Sequence, residues 1–254
     1  MVHRSNHIGF SQRVRLEWLE LTANLVLAGN DEKVIYNSLQ ELLKDKLSVD
    51  SNARWGNRAK TISILMRIWV RPPGRLRSFH QEGLSLLSHL PSEEHLAVHW
   101  GMTIAVYPFW EAVAAQVGRL LRLQRVVSHA QVRRRIMEWY GQRPTVKDAV
   151  RRVLRSMIDW GVLNEGGNSR GEYVRGRSLS ITDTRLITWL VEAFLHAQPN
   201  GSGSLETILN APSFFPFRMN FISAAQLVSG SERLEVLRHS LDQDLILLRS
   251  EASG

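Results

Sequence analysis

A helix-turn-helix pattern occupies residues 128–174, which read SHAQVRRRIMEWYGQRPTVKDAVRRVLRSMIDWGVLNEGGNSRGEYV. Ser128 is a candidate N-cap for a first helix, because its hydroxyl can accept a hydrogen bond from an otherwise unpaired backbone N–H. Apolar residues then recur at helical spacing at Val132, Ile136, Trp139 and Tyr140. Gly141 is expected to end this helix, since glycine adopts a left-handed conformation at little cost.

A second and more strongly amphipathic helix follows the turn Gln142-Arg143-Pro144, with Thr145 as its candidate N-cap. Its apolar face consists of Val146, Ala149, Val150, Val153, Leu154, Met157 and Ile158. Its opposite face carries Lys147, Asp148, Arg151, Arg152, Arg155 and Asp159. Gly161 is expected to stop the helix.

Two short strands are predicted after this helix, at residues 162–163 and 172–174. The segment between them, GGNSRG at residues 166–171, is rich in turn-forming residues and is typical of a hairpin loop. Helix, turn, helix and hairpin is the order of a winged helix-turn-helix, whose second helix commonly lies in the DNA major groove. The pattern therefore predicts such a module here.

The positive charge of the chain is concentrated in the same region. Residues 119–155 hold eleven cations and two carboxylates, a net charge of +9, whereas the whole chain has a formal charge of +8. Ten of these cations are arginines, which can form paired hydrogen bonds with phosphate oxygens or with a guanine edge. A local basic surface attracts phosphates and binds them more weakly as salt rises. A charged helix face can also be merely solvated, and some winged helices bind only proteins.

Length and composition limit the alternatives. The 254 residues allow one large or two ordinary domains, and 44% hydrophobic residues with eight Trp can supply a core. The absence of Cys excludes disulfides, thiol catalysis and cysteine-based metal sites. Residues 1–10 form a polar leader unlike a secretory signal, and no apolar run has membrane-spanning length. We therefore expect a cytoplasmic protein with no association with a membrane.

The region before the winged helix is expected to be helical throughout. Helices are predicted over residues 11–28, 31–47, 58–70, 76–90, 93–107 and 108–123, with a polar loop at 48–57. Ser11 and Asp31 are candidate N-caps, Pro72-Pro73-Gly74 must break a helix, and Pro108 suits the start of one. Core positions are the default for Trp18, Trp69, Trp100, Trp110, Trp139, Trp160 and Trp189. Trp55, in the loop, either stacks on a base or covers the core.

The region after the wing is more mixed. Asp183 can cap a helix through Ala197, and residues 198–204 have the composition of a linker. A strand is indicated near 218–221 and a short helix at 223–229, whereas residues 234–236 and 245–248 suit either strand or helix. The predicted fold class is mainly α, with an N-terminal helical bundle (1–107), a winged helix-turn-helix with a short hairpin wing (108–198) and a small mixed C-terminal segment (199–254).

No catalytic motif stands out. His95 and His99 are four residues apart and would share one helix face, but Glu94 precedes rather than follows the first histidine, unlike the zincin pattern. No third ligand is apparent, and no phosphate-binding glycine loop is present. We therefore expect no enzyme activity, no metal and no cofactor.

The segments Leu120-Leu121-Arg122-Leu123 and Val150 to Leu163 (VRRVLRSMIDWGVL) are similar to the BrxA family of BREX-type phage defence systems. In architecture the resemblance extends over residues 10–195. It implies a small, non-enzymatic DNA-binding protein encoded beside a methyltransferase and ATPases, in a system that marks host DNA and blocks phage. Other defence-system proteins are then the expected partners.

The sequence thus predicts an accessory protein that binds double-stranded DNA through a basic winged helix. The expected DNA-binding residues are Arg133, Arg134, Arg135, Arg143, Lys147, Arg151, Arg152, Arg155 and Arg170. A transcriptional regulator, which would need a dimer and a preferred operator, remains an alternative. A winged-helix scaffold that docks another subunit of a complex is the other.

Overall fold

A computed structural model describes residues 8–47, 56–167, 169–240 and 243–249. Over these ranges the chain is mainly helical with small sheets, which confirms the mainly α fold class. The helices are α1 (Leu16–Leu27), α2 (Glu32–Leu42), α3 (Asn57–Trp69), α4 (Arg77–His89), α5 (His95–Val106), α6 (Pro108–Leu123), α7 (His129–Tyr140), α8 (Pro144–Asp159), α9 (Thr184–Ala197), α10 (Leu205–Leu209) and α11 (Ala224–Gly230). Each of these helices is too short or too polar to cross a membrane. The leader and the 48–57 loop with Trp55 lie largely outside the described ranges.

Several predicted helix boundaries are confirmed. The carboxylates of Asp31 and Asp183 each accept a hydrogen bond of 2.8 Å from the backbone N–H three residues later, so both are N-caps. Pro108 is the first residue of α6, where its missing N–H needs no partner. The prolines after α3 end that helix, and α4 begins beyond them.

The prediction that Ser11 caps a helix is wrong. Helix α1 begins only at Leu16, and residues 10–14, here called the N-terminal strap, lie outside any helix. Phe10 and Val14 are completely buried in the core. The backbone N–H of Val14 also donates to the hydroxyl of Ser156 at 2.9 Å. Tertiary packing of the strap therefore outweighs the local capping signal.

The strands form small, separate sheets. Antiparallel β1 (Val127–Ser128), β3 (Glu172–Arg175) and β2 (Leu163–Glu165) lie in that spatial order. Parallel β4 (Leu179–Ile181) and β6 (Phe217–Met219) form a pair, which confirms the strand indicated near 218–221. A third sheet has β8 (Gln243–Leu248) between β5 (Ser202–Ser204) and β7 (Leu234–Ser240), so the strand interpretation of these C-terminal segments is confirmed.

The third sheet corrects the prediction that residues 198–204 are a linker. Ser202 to Ser204 pair with β8 as β5, and the Ser204 hydroxyl accepts a hydrogen bond from Thr207 at the start of α10. Small polar residues suit a flexible linker, but here their backbone groups complete a sheet. Residues 198–201 form the turn between α9 and β5. The division at residues 107 and 198 into three domains stays a prediction.

The core is centred on α5, whose residues from Leu96 to Val106 are all buried. Helix α9 packs closely against it, because an added Cβ at Gly101 would lie 2.4 Å from the ring of Trp189. Trp189 stacks on Phe79 of α4 with ring centroids 4.3 Å apart. Helices α4, α5 and α9 therefore meet without space for larger residues at these contacts.

A cluster of tryptophans joins the end of α8 to α5 and α6. The Trp110 ring lies 5.3 Å from Trp100 and 4.7 Å from Trp160, between centroids. The predicted core positions are confirmed for Trp18, Trp69, Trp100, Trp110, Trp160 and Trp189. Trp139 is the exception, since it is 47% exposed and lies beneath the guanidinium of Arg119, 5.9 Å from the ring centroid. The attraction between the Arg119 cation and the ring face offsets part of the free-energy cost of exposing this side chain.

Candidate nucleic-acid interface

The turn between α7 and α8 is built by local hydrogen bonds. Ser128 and Gln131 form a capping box, in which each side chain accepts from the other residue's backbone N–H (3.2 and 2.8 Å). Gly141, with φ of +87°, ends α7 in the left-handed region, as expected. The guanidinium of Arg143 donates to the carbonyl oxygen of Tyr140 at 3.1 Å, which closes the turn.

Helix α8 begins two residues earlier than predicted. Pro144 is its first residue, and Arg143 at the N-cap position makes no side-chain cap, so the prediction that Thr145 is the N-cap is wrong. Proline is favoured at the first helical position because its φ already has the helical value and its missing N–H would be unpaired there. This preference outweighs the capping tendency of a threonine one position later.

One face of α8 is buried and the opposite face is open. Among its apolar residues, those at 146, 149, 150, 153, 154 and 157 are buried. The exposed residues are Pro144, Thr145, Lys147, Asp148, Arg151 and Arg155. Their spacing of three and four residues places them along one stripe. The stripe runs from the turn towards β2 and is free for a partner.

The structure brings several of the predicted residues together. Arg133 and Arg134 of α7 line an open concavity of about 540 Å³ with Lys147 of α8. The charges of Arg133, Lys147 and Arg151 are all close enough to the His129 ring to lower its pKa. Arg170 lies nearby, because its neighbour Gly171 accepts a 2.8 Å hydrogen bond from the His129 N–H. We call Arg133, Arg134, Lys147, Arg151 and Arg170 the basic face.

Cations of the basic face are mostly uncompensated. Within the described part of the chain, Arg133, Arg134, Lys147 and Arg170 form no salt bridge, while Arg151 makes a 3.3 Å pair with Asp148 on the same helix. Arg135 and Arg155 lie at the edge and have acidic partners, Glu138 at 3.3 Å and Glu165 respectively. Exposed pairs of this kind contribute about 0–1 kcal/mol and are easily exchanged. The concentration of positive charge is therefore available to an anion.

Arg152 lies apart from the basic face. It is half-buried, and its guanidinium donates to the carbonyl oxygen of Ser11 in the N-terminal strap. Besides the bond from Val14 to Ser156, two further contacts bind the strap to this side of α8. Arg13 forms a two-pronged pair with Asp159, and the Trp160 ring N–H donates to the carbonyl of Val14 at 3.0 Å. Arg152 thus holds the strap on α8, whereas its neighbour Arg151 points to solvent.

His129 is a candidate residue that sequence reasoning missed. Its Nε2 atom is buried and has no hydrogen-bond partner among the described residues. Burial, and then the charges of Arg133, Arg151 and Lys147, lower the pKa of this imidazole. A negative charge near the ring would offset those charges. The signal available in the sequence was its position directly after the Ser128 cap.

His95 and His99 on α5 are hydrogen-bonded to protein side chains. Glu20 of α1 accepts hydrogen bonds from His95 at 2.9 Å and from His99 at 2.7 Å, one with each carboxylate oxygen. The Trp69 ring N–H donates to the other nitrogen of His99 at 3.0 Å. Glu94 takes no part in this group, and no cluster suited to a metal ion occurs among the described residues.

No protein-family model, curated protein or solved structure matches this chain.

Proposed function

We propose that the protein binds duplex DNA through a winged helix-turn-helix made of α6, β1, α7, α8, β2 and β3. The order of these elements along the chain is helix, strand, helix, helix, strand, strand, and their strands form one antiparallel sheet. Helix α8 then has the position of the recognition helix, and the loop between β2 and β3 is the wing.

The basic face is the observation that carries this proposal. It combines cations of α7 and α8 with Arg170 of the adjacent wing loop, and four of its five members form no salt bridge within the described residues. Phosphates bound there would release counterions, which supplies affinity for any DNA sequence. A merely solvated helix face would not need cations from three separate elements.

The residues have different roles in this proposal. Lys147 and Arg151 lie on the exposed stripe of α8 and enter the major groove, where arginine can recognise a guanine edge. Arg133 and Arg134 contact the sugar-phosphate backbone beside the groove, and Arg170 contacts it from the wing. Arg135 and Arg155 contribute only after exchanging their carboxylate partners for phosphates. Arg143 and Arg152 act indirectly, by holding the turn and the strap.

The biological setting is proposed from the resemblance to the BrxA family. On that basis the protein is a non-enzymatic, cytoplasmic accessory protein of a phage-defence or DNA-modification system, and it works with other defence proteins. Binding without strong sequence preference would suit such a role, because the protein would deliver its partners to DNA rather than to one operator.

The test is a fluorescence-anisotropy titration of random duplex DNA at several salt concentrations. We expect the logarithm of the binding constant to fall linearly with the logarithm of salt concentration. Arg151→Ala should weaken binding and reduce the slope by about one unit. Arg77→Ala removes an exposed cation at the start of α4, outside the basic face, and serves as the matched control. Absence of binding at low salt would refute the proposal.

An exposed apolar patch favours a second candidate function, docking of another protein. Leu123 at the end of α6 is 84% exposed, and Trp139 of α7 is 47% exposed beneath Arg119. Arg119 and Leu123 are four residues apart and share a helix face. Exposed aromatic and aliphatic groups with an arginine are typical of protein interfaces. A partner retained at high salt and lost with Trp139→Ala would support this scaffold role.

A further inference from the structure

A second basic groove lies on α3, outside the winged helix. Lys60, Ser63, Arg67 and Arg71 are exposed and recur every three or four residues, so they form one stripe along α3 that ends two residues beyond it. At a rise of about 1.5 Å per residue, the stripe is about 16 Å long. The opposite side of α3 is buried in the core.

The stripe forms one wall of a concavity of about 410 Å³. The N-terminal strap and the residues before it supply a second wall with Gly9 and Ser11, and Tyr36 and Tyr107 complete the lining. Tyr107 stays a neutral phenol, because burial raises its pKa further above the ordinary value. The lining therefore offers cations and hydroxyl donors, which is the chemistry that holds a phosphate.

Positive charge in the groove is only partly compensated. Arg71 makes a 2.9 Å pair with Glu32, which has about half of its side chain exposed. Within the described ranges Lys60 and Arg67 form no salt bridge, and the charge of Arg67 lowers the pKa of nearby Arg75 after the larger effect of burial. Like charges held close together without counterions favour the binding of an anion.

The groove borders the proposed DNA-binding module. Ser11 lines the groove, and the carbonyl oxygen of the same residue accepts the hydrogen bond from Arg152 of α8. Arg151, the next residue, belongs to the exposed stripe of α8. The groove and α8 therefore meet at Ser11, and a polyanion bound along α8 would reach the groove by crossing the strap.

From the positive charge of the groove and its position beside α8, we infer that the α3 groove binds backbone phosphates of the same duplex beyond the segment held by the winged helix. The inference rests on the proposed DNA binding and extends it. The protein then covers more DNA than one helix-turn-helix does, and the additional contacts are independent of base sequence.

The experiment compares two duplex lengths by fluorescence anisotropy across a salt series. A duplex of about 12 base pairs has little more than one helical turn, and one of about 30 base pairs extends past the module. The test variant is Lys60→Gln/Arg67→Gln, which keeps polar side chains and removes two charges. The control variant Lys44→Gln/Arg77→Gln removes two exposed cations outside both basic surfaces. Thermal melts check that both variants are folded.

The test variant should lose affinity for the long duplex only. Each phosphate contact contributes about 0.9 to the salt slope, so two lost contacts lower the slope by about two and weaken binding roughly ten- to sixtyfold at about 0.1 M salt. The control variant should match the wild type within about threefold.

Each alternative result overturns a distinct statement. If Lys60→Gln/Arg67→Gln binds the long duplex like the control, the groove does not bind DNA, and the proposed function still stands. If it weakens both duplexes equally, the groove is not an extension beyond the module. If wild-type protein binds neither duplex at low salt, the proposed function fails and this inference fails with it.

Discussion

Replacing each of two neighbouring arginines of α8 by alanine should reduce a different property of the protein. Arg152 is half-buried and donates to the Ser11 carbonyl oxygen, whereas Arg151 is exposed and pairs with Asp148 at 3.3 Å. We expect Arg152→Ala to reduce the stability of the fold and Arg151→Ala to reduce DNA binding. The pair is a matched comparison, since both variants remove the same side chain from adjacent positions.

The sizes of both effects follow from these contacts. A hydrogen bond from a charged donor contributes about 1.5–3 kcal/mol, and partial exposure of Arg152 reduces this to about 1–2 kcal/mol. For a chain of this size each kcal/mol shifts Tm by about 2–4 °C, so Arg152→Ala should melt about 2–8 °C lower. An exposed pair three residues apart contributes roughly 0.3–0.5 kcal/mol, so Arg151→Ala should melt within about 2 °C of the wild type.

Two assays separate the variants. Differential scanning calorimetry measures Tm, and fluorescence anisotropy over a salt series measures phosphate contacts. Arg151→Ala should lower the salt slope by about one unit, and Arg152→Ala should leave it unchanged. Equal melting temperatures for the two variants, or a reduced slope for Arg152→Ala, would refute the assignment of Arg152 to the strap.

Further predictions concern acid stability, close packing and proton uptake. Hydrogen bonds from His99 and then His95 lower the pKa of Glu20 from 4.5 to about 2, so its stabilising effect is present above pH 4.5 and is lost as pH falls towards 2. Glu20→Gln should therefore flatten the acid limb of Tm against pH, which exposed Glu17→Gln should not. Gly118→Ala would place a Cβ 1.9 Å from the Pro212 carbonyl oxygen and should lower the free energy of unfolding, measured in urea, by about 1–3 kcal/mol. Gly74→Ala, whose added Cβ meets open space, is the control. Because burial and the charges of the basic face lower the pKa of His129, bound phosphates should raise that pKa, so DNA affinity should increase as the pH falls, and His129→Asn should remove that increase.

Local signals predicted much of the helical frame. The caps at Asp31, Ser128 and Asp183 act within four residues of sequence, so their outcome depends little on the rest of the chain. Gly141 and Gly161 end their helices in the left-handed region for the same reason. The apolar period of α8 also identified its buried face, because one face of a helix must enter the core.

Long-range contacts decided what the sequence did not predict. Ser11 carries a good capping signal, yet the strap around it is held by α8, about 140 positions further along the chain. Spacing placed Arg152 beside Arg151 on the charged face, and only the packed strap distinguishes the two. His129 was missed likewise, since the cations that act on it come from both α7 and α8. The cations of the α3 groove lie on one helix, but its second wall comes from Gly9 and Ser11, about 50 positions earlier in the chain.

The strap also has a consequence for how the chain folds. Its bonds to α8 and Trp160 join residues separated by 141 to 146 positions. The side of α8 that carries Arg152 and Asp159 is therefore covered only when these two distant segments meet. Such pairing raises contact order, and closing so large a loop slows folding. During synthesis, residues 10–14 leave the ribosome long before α8 exists. Until then Phe10 and Val14 lack that part of their packing, and a chaperone has its longest opportunity to bind this end of the chain.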